Sequence, residues 1–313
     1  TMEGYFQALA KGNNCQGIGA TPEGTETNPI LYDMLFELPW MDVNNRPTAD
    51  KWLEDYAYSR YGVQNDKALS ALKNLKKSVW DCKVNQQGTS EAVILARPNW
   101  TVGSVSSWST SAIYWDTQDV LLAADQLYSV KDIVTANGGQ DGIANYNYDF
   151  IDVVRQAMVD YAAQLLPLIN AARGNNAEYT RLYQLYLQLM LDLDEMLSYD
   201  ENFKLERWTS LARNIADEVA GTTENDRNWL EWNARTQVTV WSKGNTDLHD
   251  YSNRCWAGLS RTSTTSAGNS SLRTTAMLSV AAGTAVSSIP GLLTSTRHIT
   301  LRATTHRWLF PMI

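Results

Sequence analysis

The sequence predicts a mainly α-helical protein with a short strand–loop–helix unit near its N-terminal end and an aberrant tail. Three observations carry this. Between about residues 48 and 240, apolar residues recur at steps of three and four, the period of helices that bury one face. Ahead of them, residues 17–29 read GIGATPEGTETNP, a glycine-punctuated run closed by an Asn-Pro helix start. Behind them, residues 259–313 hold none of the chain's 34 Asp and Glu residues; 20 of those 55 positions are Ser or Thr, and no amphipathic period persists.

Each element follows from its residues. Gly17, Gly19 and Gly24 permit backbone shapes that other residues avoid, and a short strand over 17–20 followed by a loop is expected. Thr27 or Asn28 can cap a helix with Pro29 in its first turn, with Ile30, Leu31, Met34, Leu35 and Leu38 on one face. Strand, polar loop and helix make a βα unit. Helices are then expected over 48–60 (Trp52, Leu53, Tyr56, Ala57) and 66–79 (Leu69, Leu72, Leu75, Val79). Residues 83–110 are polar and irregular. Further helices are expected over 114–128 (Val120, Leu121, Ala124, Leu127) and 150–172 (Val153, Val154, Met158, Tyr161, Leu165, Leu168). Two more follow over 179–197 (Leu182, Leu185, Leu189, Leu193) and 203–219 (Phe203, Leu205, Trp208, Leu211, Ile215). The spacing makes 45–240 an all-helical domain, and no repeat of fixed period stands out.

Composition excludes several classes. A net charge of −8 and a pI near 5.0 are not the footprint of a nucleic-acid binder. No run of 18 apolar residues marks a membrane span. The first residues, TMEGYFQALAKGNN, have neither the basic start nor the apolar core of a signal peptide, and the chain is expected to begin inside a longer protein. Cys15, Cys82 and Cys255 form no CxxC pair, and His249, His298 and His306 form no HExxH, so neither metal nor cofactor is expected. Twelve Trp and fifteen Tyr are the compositional oddity. Such rings build large cores, and they also stack on sugar faces while offering one polar handle.

Two stretches can carry chemistry. Glu23 stands between Pro22 and Gly24, after the expected strand and before the helix, which is the catalytic edge of a (β/α) barrel. A carboxylate there also complements a helix N-terminus, and both readings stay open. Glu26 reads as a solvated loop charge, Glu37 lies beside the apolar face, and Asp192, Asp194 and Glu195 read as the solvated face of a long helix. A glycosidase needs two carboxyl groups across the scissile bond, and spacing does not name the second. Residues 229–259 are dense in Trp, Asn, Arg and Tyr: Trp241, a Lys-Gly-Asn turn, then Asp247, His249, Asp250 and Tyr251. This stretch reads either as a loop that closes over a sugar or as an interdomain contact.

Four segments together carry a resemblance: GIGATPEGTETNPILYDMLFELPW (17–40), RYG (60–62), EWNARTQVTVW (231–241) and LHDYSNRCWAGL (248–259). Over about residues 1–261 the chain resembles the α-N-acetylglucosaminidases of glycoside hydrolase family 89. The resemblance implies that 1–44 is the last βα segment of a catalytic (β/α)8 barrel and 45–261 an all-helical C-terminal domain that helps shape the active site. It implies Glu23 as the catalytic nucleophile and a general acid/base Glu upstream of residue 1. Trp241 and Tyr251 match aromatic positions of the sugar pocket, Leu248 lies in the same loop, and Tyr32 and Asn28 are supporting residues just behind the nucleophile. The implied partner is a glycan ending in α-linked N-acetylglucosamine, of heparan sulfate or mucin type. The implied location is outside the cytoplasm, secreted or periplasmic, or in a lysosome. A non-catalytic helical module that binds carbohydrate or is purely structural is the alternative.

The tail departs from the family. After Arg261 the family continues in the style Asp-Phe-Tyr-Tyr-Gln-Arg, whereas this chain reads Thr-Ser-Thr-Thr-Ser-Ala. Common codons for the family peptide, GAC TTC TAC TAC CAG CGC, give that second peptide when the first base is dropped. Residues 262–313 are therefore expected to be an out-of-frame or non-native tail, which would account for both the missing carboxylates and the lost period.

Overall fold

The computed structural model of the chain describes residues 2–11, 17–21, 28–42, 44–81, 90–96, 99–106, 109–239 and 254–258. Ten α-helices supply most of the regular structure there, and no β-strand occurs among the described residues. The expected strand over 17–20 is absent: these residues are irregular and mostly exposed. A strand exists by pairing its backbone with a neighbour, and no partner strand is present among the described residues.

The N-terminal helices start where capping chemistry places them. Helix α1 (Met2–Ala10), which sequence periodicity does not reveal, buries Phe6, and Arg46 lies 4.8 Å over that ring. Helix α2 (Pro29–Glu37) begins at Asn28, whose side chain accepts from Ile30 N at 3.1 Å. Helix α3 (Ala49–Tyr61) is capped by Thr48 and α4 (Asp66–Lys77) by Asn65. Each cap satisfies N–H groups that the first helical turn leaves without partners. Helix α5 (Thr117–Ser129) is capped by Asp116, and α6 (Lys131–Asn137) follows at once.

Helix α7 (Gly139–Ala171) is the backbone of the fold, 33 residues and about 50 Å long. Its first half closes one core with α3, α4 and α5, through Trp52, Leu53, Tyr61, Leu72, Leu127 and Tyr146. Its second half closes another with α8 (Asn176–Leu197), through Leu165, Ile169, Leu189, Leu193 and Leu197. Apolar burial of this kind contributes roughly 1.5–3 kcal/mol per large side chain. Periodicity starts α7 near residue 150, but the helix begins eleven residues earlier because tertiary contact recruits a polar, glycine-bearing run. A Cβ on Gly142 would stand 2.5 Å from the Tyr61 carbonyl oxygen, and one on Gly62, at φ 66°, 2.4 Å from that of Gly138. Glycine at both positions lets the end of α3 touch the start of α7.

That junction also holds a buried ion pair. Arg60 donates to Asp149 through Nε at 2.5 Å and Nη2 at 2.7 Å, and Tyr61 donates to the same carboxylate at 2.9 Å. Burial pushes the Asp149 carboxyl up, and the hydrogen bond and charge of Arg60 oppose the push.

Two further differences have physical causes. The stretch expected to be merely polar and irregular turns inward at Ala92, Val93 and Ile94, and the buried Glu91 carboxylate binds Val105 N at 2.5 Å and both the N–H and hydroxyl of Ser106. Helix α9 (Leu205–Asp217) leaves Leu211 and Ile215 more than half exposed, against the expectation of a buried apolar face. It packs instead through Thr209 and Ala216, and through Arg213 to Glu224 and Glu231 of α10 (Glu224–Gln237).

Candidate functional site

Glu23 lies outside the described residues; the helix that follows it does not. Asn28 is committed to the α2 cap, and Tyr32 stands half-buried one turn into that helix. Helix α2 is pinned to α3 by two side-chain hydrogen bonds. Trp52 Nε1 donates to Glu37 at 2.6 Å, and the Tyr56 hydroxyl donates to Asp33 at 3.1 Å. Burial pushes the Tyr56 phenol far above its ordinary range, so it stays a donor at any physiological pH. Ile30 and Leu38 are buried, while Leu31 and Phe36 are exposed, so α2 docks by one edge. Glu37, read from the sequence as a bystander of the apolar face, is thus an anchor of the helix that carries Asn28 and Tyr32.

Trp241, Leu248 and Tyr251 also lie outside the described residues, and both flanks of that stretch are described. The N-terminal flank is α10, which opens with a reciprocal capping box between Thr223 and Asp226. Trp208 of α9 donates Nε1–H to the Ala234 carbonyl oxygen at 2.9 Å, and Thr236 and Val238 are buried beyond it. The C-terminal flank is the run Arg254–Cys255–Trp256–Ala257–Gly258, tied down along its length. Arg254 donates to the Asn202 carbonyl oxygen at 2.8 Å and stacks over Phe203 and Trp256. Cys255 is buried and neighbours Arg155, whose guanidinium also holds Asp152 at 2.9 Å. Ala257 N donates to Phe203 O at 2.8 Å, and Ala257 O accepts from Leu205 N at 3.1 Å. Gly258, at φ 91°, donates its N–H to Asp194 Oδ1 at 2.8 Å.

Asp194 corrects one expectation. It is 4% exposed and binds backbone, whereas its neighbour Asp192 takes the Gln188 amide in the solvated role expected of both. The spacing of three acidic residues on one helix could not separate them, because the group that buries Asp194 lies 64 positions along the chain. Trp208, Arg254 and Trp256 were likewise not singled out as site residues. Their signal was faint: a short run of non-polar and aromatic residues after a polar loop, without the length of a helix.

One buried carboxyl stands apart. Asp160 on α7 accepts from Trp115 Nε1 and Gln156 Nε2, each at 2.9 Å, and burial pushes it up to about 6. Among the described residues no group of three His, Cys, Asp or Glu side chains is placed to hold a metal ion, and no helix is long and apolar enough to cross a membrane.

Comparison with known proteins fits this architecture. Residues 52–263 match the family described as Alpha-N-acetylglucosaminidase (NAGLU) C-terminal domain. The chain is 27% identical over 248 residues to the human protein named Alpha-N-acetylglucosaminidase, covering 78% of this chain and 31% of the human one. The family 89 glycoside hydrolase from Clostridium perfringens, solved in complex with PUGNAc, is similar with a TM-score of 0.74 and 28% identity. That likeness covers 83% of this chain and 29% of the clostridial one. A form of that enzyme with two glutamates replaced by glutamine, in complex with its substrate GlcNAc-α-1,4-galactose, is similar to the same degree over 82% of this chain and 28% of that one. The chain thus spans about a third of the length of these relatives. By the match over most of its length and by its helical architecture, the chain belongs to the family of alpha-N-acetylglucosaminidase C-terminal domains.

Proposed function

We propose that this chain is the C-terminal part of a retaining exo-α-N-acetylglucosaminidase that removes terminal α-linked N-acetylglucosamine from glycans by double displacement. Its closest support is the likeness to an enzyme whose complex with an α-N-acetylglucosaminide carries two Glu-to-Gln changes. In this reading residues 1–44 end the catalytic barrel, 45–261 form the helical domain, and 262–313 are translated out of frame. The enzyme works outside the cytoplasm or in a lysosome.

The chemistry follows from the substrate. In an α-N-acetylglucosaminide the 2-acetamido group lies on the same face as the leaving oxygen and cannot attack carbon one from behind. Retention then requires a protein carboxylate as nucleophile. Glu23, held between Pro22 and Gly24 ahead of α2, attacks the anomeric carbon and forms a β-glycosyl-enzyme. A second carboxyl, about 5–5.5 Å away in retaining enzymes, protonates the departing oxygen and then activates water. The resemblance assigns that group to a part of the relatives this chain does not span, so a polypeptide of these 313 residues alone is expected not to turn over. Trp241 and Tyr251 present ring faces to the sugar, Leu248 adds apolar contact, and Tyr32 and Asn28 steady the nucleophile's loop from α2.

The test is a graft of residues 1–258 into the matching stretch of the clostridial enzyme. Glu23→Gln in the graft abolishes hydrolysis of an aryl α-N-acetylglucosaminide without lowering the melting temperature. Hydrolysis that survives the change removes Glu23 from the nucleophile's role.

A further inference from the structure

We infer that Trp208 and Asp194 are positioning residues that clamp the two ends of the segment 240–253 and thereby set where Trp241 and Tyr251 stand. The inference rests on the reading above, in which those rings wall the sugar site.

Fourteen residues join Thr239 to Arg254, and a loop of that length positions its side chains only as well as its ends are held. Trp208 reaches both ends. Its N–H binds the Ala234 carbonyl oxygen in the last turn of α10, at the entry to the segment. Its ring meets Trp256, just past the exit, with centroids 6.4 Å apart and planes 33° from parallel. Asp194 fixes the exit from the other side, accepting the Gly258 N–H while Ala257 pairs with Phe203 and Leu205.

This bracing is separate from the two main cores. Trp208 and Trp256 belong to neither hydrophobic cluster, although Trp256 is only 1% exposed. Helix α9, which carries Trp208, leaves Leu211, Ile215 and Val219 exposed and is not a core helix among the described residues. Asp194 projects from α8 and spends a buried carboxylate on one backbone N–H at a glycine with φ 91°. Such a charge-assisted bond is stronger than a neutral one and fixes one direction of chain exit.

The experiment uses the grafted enzyme and an aryl α-N-acetylglucosaminide. Trp208→Phe keeps a ring against Trp256 and removes the N–H. Asp194→Ala removes the acceptor, and Asp194→Asn restores an oxygen at the same place. Displacing binding groups by about 1 Å costs up to about 100-fold. Trp208→Phe and Asp194→Ala should therefore raise KM by about 10-fold or more with kcat changed far less, and Asp194→Asn should return KM toward that of the parent. Trp241→Ala is the reference for a lost wall. If Trp241→Ala raises KM and neither Trp208→Phe nor Asp194→Ala does, the clamp is wrong while the sugar wall stands. If Trp241→Ala and Tyr251→Ala leave KM unchanged, the underlying reading fails and the clamp with it. If Trp208→Phe and Asp194→Ala instead unfold the graft, or Asp194→Asn fails to rescue KM, the two residues are structural and the inference is overturned.

Discussion

Asp160 makes the stability of this domain depend on pH in a direction opposite to that of a salt-bridged carboxylate. Its side chain is buried on α7, and the two donors that face it, Trp115 and Gln156, stabilise the ionised form less than desolvation destabilises it. Its value therefore rises from 3.8 to about 6. A rise of roughly two units corresponds to about 3 kcal/mol. The folded state holds a proton that the unfolded state has already released between pH about 4 and 6. Stability contributed by this group is present below pH 4, falls as pH climbs to 6, and stays lost above it. Asp160→Asn removes the titration while keeping one acceptor. Urea denaturation of both proteins from pH 4 to pH 7.5 isolates the effect, since every other titrating group is shared. The wild type should gain about 3 kcal/mol on the variant as pH falls from 7.5 to 4. A difference between the two that stays constant within about 0.5 kcal/mol would refute the assignment of a raised, desolvated carboxyl.

Other perturbations follow from the same geometry. Gly139→Ala, at φ 68° with open space around it, should cost about 1–2 kcal/mol from backbone strain alone. Gly62→Ala meets the same strain and drives a Cβ against the Gly138 carbonyl oxygen, so its loss in thermal denaturation should be clearly larger; equal losses would remove the close approach. Asp149→Ala leaves the Arg60 guanidinium, with its side chain 12% exposed, without its carboxylate, and should destabilise by about 3–5 kcal/mol in denaturant titration.

Much of the helical domain was legible because its signals are local. Asn28, Thr48 and Asn65 cap the helices whose starts they mark, and Leu72, Leu75, Val120, Leu127, Leu189 and Leu193 are buried as their spacing requires. What stayed hidden depends on distant partners. The first eleven residues of α7 are polar and become helical because Gly142 and Tyr146 meet α3 and α5. Asp194 looks like a surface acid until Gly258 folds onto it. Leu211 and Ile215 follow a helical period and remain exposed, because periodicity records which face is apolar and not whether anything covers it. For the site, residue identities alone reached Glu23, Trp241, Leu248 and Tyr251 only through the family resemblance. The bracing by Trp208, Arg254 and Trp256 emerged from contacts between segments that sequence spacing does not connect.

The nucleophile assignment is tested most directly by azide rescue of Glu23→Ala in the grafted enzyme, with an activated aryl α-N-acetylglucosaminide as donor. If Glu23 is the nucleophile, removing it opens the face opposite the leaving group, and added azide restores turnover and gives the β-glycosyl azide. Formation of the α-glycosyl azide would mean that an intact nucleophile still forms the glycosyl-enzyme and that Glu23 serves as the acid/base, and undiminished hydrolysis without azide would leave it no part in the chemistry.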